Sequence, residues 1–207
     1  MVVGAVIKSF ASPGIQPRGL AWDGHTLWHS DTNTLLIYQI NPITGAVIKS
    51  FAAPTNGPRG LTWDGHTLWH AENANNRIYQ INPITGAVIK SFAAPAVGPR
   101  GLAWDGKTLW TDTITNNRIY QVNPITGAVI KFFASPSTMP RGLTWDGKTL
   151  WHSDLNTNLI YQINPITGAV IRSFVSPDTG PEDLTWDGKT LWAATDTLNR
   201  IYQLETH

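Results

Sequence analysis

Four arginines recur at a fixed interval of 41 residues, Arg18, Arg59, Arg100 and Arg141, each inside the tripeptide Pro-Arg-Gly. Where a fifth is due, the chain reads Pro181-Glu182-Asp183. A guanidinium is a planar fork that binds carboxylates and phosphates through paired hydrogen bonds. If these five positions surround one opening, four cations beside a carboxylate pair would hold an anion, a zwitterion or a peptide terminus. The competing arrangement is local, with each arginine ion-paired inside its own repeat. In the simplest hairpin register position 18 faces position 31, so Arg18 meets Asp31, Arg59 meets Glu72 and Arg141 meets Asp154. Thr113 stands opposite Arg100 with Asp112 beside it, and Thr195 stands opposite Glu182. The joint loss of both charges in the fifth repeat favours the local pairing. Glu182-Asp183 remains the sharpest break in the pattern.

His29, His70 and His152 form a second column, a residue type that binds zinc. The spacing argues against it. Equivalent points on neighbouring repeats, one interstrand step of about 4.8 Å outside the innermost strand, lie on the order of 10 Å apart. A zinc ion with bonds of about 2 Å cannot bridge that distance. His25 and His66 belong to an exposed turn column that continues as Lys107, Lys148 and Lys189. No metal or cofactor site is expected. No serine has a histidine and an aspartate placed to activate it, so no catalytic residue is assigned and the expectation is a non-enzymatic protein.

The elements that carry these columns follow from the aromatics. Of 10 Trp, 5 Tyr and 6 Phe, only Phe132 lies outside four columns of the same period. These are headed by Phe10, Trp22, Trp28 and Tyr38. A fixed period near 40 marks a repeat architecture. Each unit holds four short runs rich in Val, Ile, Leu, Trp, Tyr and Thr, separated by Gly, Pro, Asn and Asp, which is a pattern of four strands. In the second unit they are A (about 59–63), B (67–71), C (77–81) and D (87–92). Asp64-Gly65 marks an A–B hairpin, and Asn82-Pro83-Ile84-Thr85-Gly86 marks the C–D turn. With a turn centred on Gly24-His25, Leu20, Trp22 and Leu27 share one face while Ala21 and Trp28 share the other. Both faces need cover, and both tryptophan columns are expected in the core. Radial stacking of such sheets supplies that cover.

The expected fold is therefore an all-β, five-bladed β-propeller with four antiparallel strands per blade. Residues 4–10 match strand D, and residues 181–204 supply only A, B and C. The N-terminal strand then joins the C-terminal blade and closes the ring. A swap of that strand between copies would satisfy the same pairing, with the short leading segment favouring closure within one chain. The chain reads as a single domain over 1–207, with blades at about 17–51, 58–92, 99–133, 140–174, and 181–204 plus 4–10. The near-identity of the units points to recent amplification or to deliberate engineering.

Fifteen Lys+Arg against fourteen Asp+Glu leave no field to attract nucleic acid or an anionic membrane. No apolar run approaches the roughly 20 residues of a membrane helix. Met1-Val2-Val3-Gly4 lacks the features of a signal peptide. With no cysteine, disulfides and thiolate metal sites are excluded, and the compartment stays open.

Residues 99–122, PRGLAWDGKTLWTDTITNNRIYQV, resemble an NHL repeat in their Pro-Arg-Gly opening, Asp-Gly turn and Asn-Arg-Ile third strand. The Asn-Pro-x-Thr-Gly-x-Val run resembles YVTN-type propellers and the five-bladed glutaminyl cyclases of plants and bacteria. The resemblance covers the whole chain and implies a propeller. These families include peptide-, protein- and RNA-binding modules as well as enzymes, so it does not choose a function. The cyclase likeness implies an acid that shuttles a proton in pyroglutamate formation, drawn from several unlike residues at the channel mouth. Here the equivalent positions repeat, apart from Glu182 and Asp183.

Differences between units cluster in the B–C and D–A connections, which share one end of the ring. Binding surfaces favour such loops. The reading is a monomeric scaffold or binding module, with no evolved ligand if the repeats were engineered. The alternatives are recognition of an anionic small molecule or peptide at the arginine-lined mouth, at that end, and a glutaminyl cyclase-like enzyme. Candidate contacts are Arg18, Arg59, Arg100, Arg141, Glu182 and Asp183.

Overall fold

The computed structural model describes residues 2–206. Its twenty strands form five four-stranded antiparallel sheets. Blade one is β2 (Pro17–Trp22), β3 (Leu27–Asp31), β4 (Leu36–Ile40) and β5 (Val47–Ala52). Blade two is β6 (Pro58–Trp63), β7 (Leu68–Glu72), β8 (Arg77–Ile81) and β9 (Val88–Ala93). Blade three is β10 (Pro99–Trp104), β11 (Leu109–Thr113), β12 (Arg118–Val122) and β13 (Val129–Ala134). Blade four is β14 (Pro140–Trp145), β15 (Leu150–Asp154), β16 (Leu159–Ile163) and β17 (Val170–Val175). Blade five joins β18 (Pro181–Trp186), β19 (Leu191–Thr195) and β20 (Arg200–Leu204) to β1 (Val6–Ala11), the first strand of the chain. The expected closure is thus present: Val6 faces Leu204 and Phe10 faces Ile201. The innermost strands β2, β6, β10, β14 and β18 pack on one another in turn around the axis.

The hairpin register is the expected one at the A–B turn, with Trp22 opposite Leu27 and Ala21 opposite Trp28. Asp23 does more there than turn the chain. Its Oδ1 accepts from the amides of His25 and Thr26, and its Oδ2 accepts from the Thr26 hydroxyl and from Trp28 Nε1 at 2.8 Å. Gln39 Nε2 closes the set on Thr26 Oγ1. A buried indole N–H needs such an acceptor. The same clamp repeats at Asp64, Asp105, Asp146 and Asp187. Burial raises the pKa of these carboxylates, but their Thr, backbone and Trp donors outweigh it and hold them below the usual range.

Each interface between blades has its own core. Trp192 of blade five packs with Leu20, Leu27 and Tyr38 of blade one, and Trp28 of blade one packs with Leu61, Leu68 and Tyr79 of blade two. The Trp28 column is at most 2% exposed throughout. The Trp22 column corrects the expectation of a second fully buried set: it lies at the strand ends beside the turns and is only partly buried.

One local conflict stands out in the B–C loops. Asn76, Asn117, Asn158 and Asn199 adopt positive φ, a conformation Asn tolerates, whereas blade one places Leu35 there at φ 60°. Leu35→Asn is expected to raise stability by about 1 kcal/mol, read as a higher urea midpoint. An unchanged or lower midpoint would show that Leu35 packing outweighs its strain.

Candidate functional site: the arginine crown

The strand that carries each arginine is not regular. Pro17 pairs with Asp31, but Gly19 already pairs with Ser30, so Arg18 is the extra residue of a β-bulge. Every inner hairpin shifts register at this point. A bulge re-aims its unpaired residue. Arg18 therefore leaves Asp31 and turns to the mouth, where it ion-pairs with Glu182 and reaches Asp196 at 2.9 Å and Thr32 Oγ1 at 3.2 Å. The expected pairing within each repeat does not form. Asp31 instead accepts from the amides of Gln16, Asn33 and Thr34, and Glu72 and Asp154 cap their loops in the same manner.

The coincident loss in blade five has a different cause. There Asp178, on the D–A loop, takes over the cap, accepting from Thr195 Oγ1 and the Leu198 amide. Glu182 stands at the axial position of the arginines and bridges its two neighbours, Arg18 of blade one and Arg141 of blade four, the latter at 3.8 Å. It is 3% exposed. Burial raises its pKa while Arg18 and Arg141 oppose that rise.

Arg59 and Arg100 fare otherwise. Neither takes part in the ion pairs formed among the described residues, and the Nε of each, like that of Arg141, is buried without a hydrogen-bond partner. Burial first, and then repulsion from the other arginines, lowers Arg59 to about 9 and Arg100 to about 10. Both stay charged at neutral pH.

Beneath the crown the axis is closed. Gly19, Gly60, Gly101 and Gly142 line it so tightly that a Cβ on Gly60 would lie 2.3 Å from the Arg100 carbonyl oxygen. Blade five puts Asp183 in this column. Its carboxylate spans the axis, Oδ2 accepting from the amides of Leu20 (2.8 Å) and Leu61 (3.2 Å) and Oδ1 from Leu143 (3.3 Å). Burial pushes its pKa well up, against those donors. Asp183 is thus a plug rather than a contact open to the mouth. Sequence reasoning missed Asp196, although its column, otherwise Thr32, Asn73, Ile114 and Leu155, carries an acid only there.

The histidine column lies in the core. His29 Nδ1 bonds the Gly19 carbonyl and its Nε2 the Ser12 hydroxyl at 2.9 Å. Among the described residues no three His, Cys, Asp or Glu side chains converge as metal ligands. One arrangement overturns the serine expectation: Ser135 Oγ lies 3.1 Å from His152 Nε2, and His152 Nδ1 lies 3.5 Å from Asp112 Oδ2. Asp112 comes from the preceding blade, where the column otherwise reads Ser or Ala. The geometry has the order of a catalytic triad, yet the imidazole is fully buried. Its Nδ1 is already bonded to the Gly142 carbonyl, and blade one builds the same serine–histidine contact with no acid.

Burial pushes His29 down to about 4, partly offset by Asp31, and His70 down to about 3. Unfolded imidazoles titrate near 6.5. Between those values the unfolded chain binds protons that the folded chain does not, so stability falls as pH drops below about 6.5. His70→Thr, copying Thr111, is expected to remove on the order of 3 kcal/mol of that loss between pH 7 and 4. Urea midpoints of both proteins at pH 7, 5 and 4 check this. The raised acids Glu182 and Asp183 act in the opposite sense, but both proteins share them. Equal pH slopes would sink the expectation.

Fold and mouth together define a five-bladed propeller with a basic crown over a plugged axis. The sequence matches no protein-family model and no curated protein. Several solved structures share the fold. Glutaminyl cyclase of Myxococcus xanthus superposes with TM-score 0.83 at 11% identity, over 98% of this chain and 96% of its own. Virginiamycin B lyase from Staphylococcus aureus gives 0.58 at 22%, over 95% and 68%. A chain of the nidogen–laminin complex gives 0.67 at 20%, over 92% and 76%. At such identities the likeness is one of fold, and the propeller expected from the repeat resemblance is the fold found.

Proposed function

We propose that this chain is a non-enzymatic binding propeller that takes a small molecule or peptide by an anionic group at the arginine crown. The observation that carries this is that Arg59 and Arg100, unlike Arg18 and Arg141, have no ion-pair partner among the described residues, while the Nε of each is buried and unbonded. Unpaired buried donors weaken a fold unless something supplies acceptors. The loops that vary between blades surround the same mouth, which fits a contact surface around a charged centre. Propellers of this fold occur in protein complexes, as the nidogen–laminin case illustrates.

A thermal-shift panel of carboxylates, phosphates and acidic peptides at low ionic strength tests the proposal. A ligand at 100 times its Kd stabilises by about 2.7 kcal/mol, a shift that added salt and Arg100→Gln should both abolish. No stabilisation by any member would sink it. A Gln-initiated peptide should remain unchanged on incubation, and conversion to pyroglutamate would replace the proposal with a cyclase-like one.

A further inference from the structure

We infer that the anionic group is a phosphate, a tetrahedral oxyanion seated between Arg59 and Arg100 on the side of the mouth opposite Glu182. This rests on the reading of the crown as the binding site and narrows it.

The crown is lopsided. Glu182 in blade five engages the arginines of blades one and four, its two neighbours in the ring. Asp196 adds a second carboxylate to Arg18. Blades two and three form the opposite edge of the pentagon, and there Arg59 and Arg100 stand side by side with no ion-pair partner among the described residues, their Nε atoms buried and unbonded as that of Arg141 also is. Asp112 beneath Arg100 offsets part of the charge; its Oδ1 accepts from the Gly101 amide, and its Oδ2 is buried without a hydrogen bond.

Donor geometry selects the ligand. Each guanidinium offers five N–H groups and engages two oxygens through one fork. A carboxylate has two oxygens, enough for one fork. A phosphate has three or four and can serve two adjacent forks at once. Its second negative charge also answers two cations whose proton affinities are lowered by burial first and by neighbouring arginines second. Asp183 closes the axis below, so the head group stops at the mouth. Whatever the phosphate is attached to then lies among the D–A and B–C loops.

Calorimetric titration at pH 7.5 and constant ionic strength, with sodium phosphate, sodium sulfate, glycerol 3-phosphate and sodium acetate, tests this. Phosphate and sulfate should bind one per chain, at least tenfold tighter than acetate. Glycerol 3-phosphate binding tighter than phosphate identifies an ester as the source, and the reverse order identifies the free ion. Arg59→Gln and Arg100→Gln should each weaken phosphate at least tenfold, yet melt no lower than the parent without anion, since each removes a partly buried cation that has no ion-pair partner among the described residues. Lys107→Gln, in a turn at the far end, should bind as the parent does. Equal affinity for acetate and phosphate, or phosphate binding retained in both arginine variants, overturns the phosphate assignment and leaves the crown as an anion site. No binding of any anion overturns both.

Discussion

A chain lacking residues 1–11 is expected to lose its cooperative fold. The deletion removes β1, which supplies the whole outer strand of blade five. Phe10 packs against Trp192 with ring centroids 6.0 Å apart, and Ser9 Oγ accepts from Arg200. Without them β20 becomes an open edge, and Trp192, which also serves the core between blades five and one, loses its cover. Truncating a fully buried Phe costs about 3–5 kcal/mol; Phe10 is partly buried and contributes less, but a whole ladder of backbone bonds goes with it. The sum is on the order of the 5–15 kcal/mol that holds a domain together. Because blades stabilise each other through their interfaces, the damage is not confined to one sheet. Melting curves and light scattering check this, with unfolding or association expected. A truncated chain that associates no more than the parent and melts as before would show that closure contributes little.

The second large effect is expected from a single methyl group. Gly60→Ala would set a Cβ 2.3 Å from the Arg100 carbonyl oxygen and 2.8 Å from Gly101 Cα, both backbone atoms of the next blade. Neither can swing aside, and a closed ring cannot widen at one blade without moving the others. Overpacking of this sort costs about 3 kcal/mol. Gly65→Ala makes a useful contrast. It lies at φ +99° in the A–B turn with nothing within 4 Å, so only backbone strain of roughly 1 kcal/mol opposes it. Urea denaturation of the two variants should rank Gly60→Ala clearly lower, and the reverse ranking would mean the axis is looser than described. Asp183 shows how the column admits one side chain: it fills the axis itself and satisfies amides from blades one, two and four. A second occupant has nowhere to go.

The architecture was readable because periodic burial leaves a periodic sequence. Trp28 and Leu20 had to face opposite sides of their sheet, and they do. The orphan strand at residues 4–10 had one partner left in the ring, and it takes it. The crown was readable only in part. Its residues stood out by column, but their direction depended on a bulge, which changes no residue type and leaves the hydrophobic alternation on either side intact. Extrapolating the hairpin register through it set Arg18 opposite Asp31, one position away from where the chain places it. The contact of His152 with Asp112 was hidden for another reason: it crosses between blades, and spacing within one repeat says nothing about what the next blade presents.

The closing strand has a further consequence. β1, β5 and β9 carry the same six residues, VIKSFA. Nothing in its side chains tells β1 to prefer the edge of blade five over an equivalent edge elsewhere, or over that of another molecule. The choice is made by mass action. Tethered to its own ring, β1 experiences an effective concentration on the order of millimolar, against which free copies at micromolar levels compete poorly. Fidelity of assembly in this protein is thus a matter of dilution, and it should erode as chains are crowded together during folding.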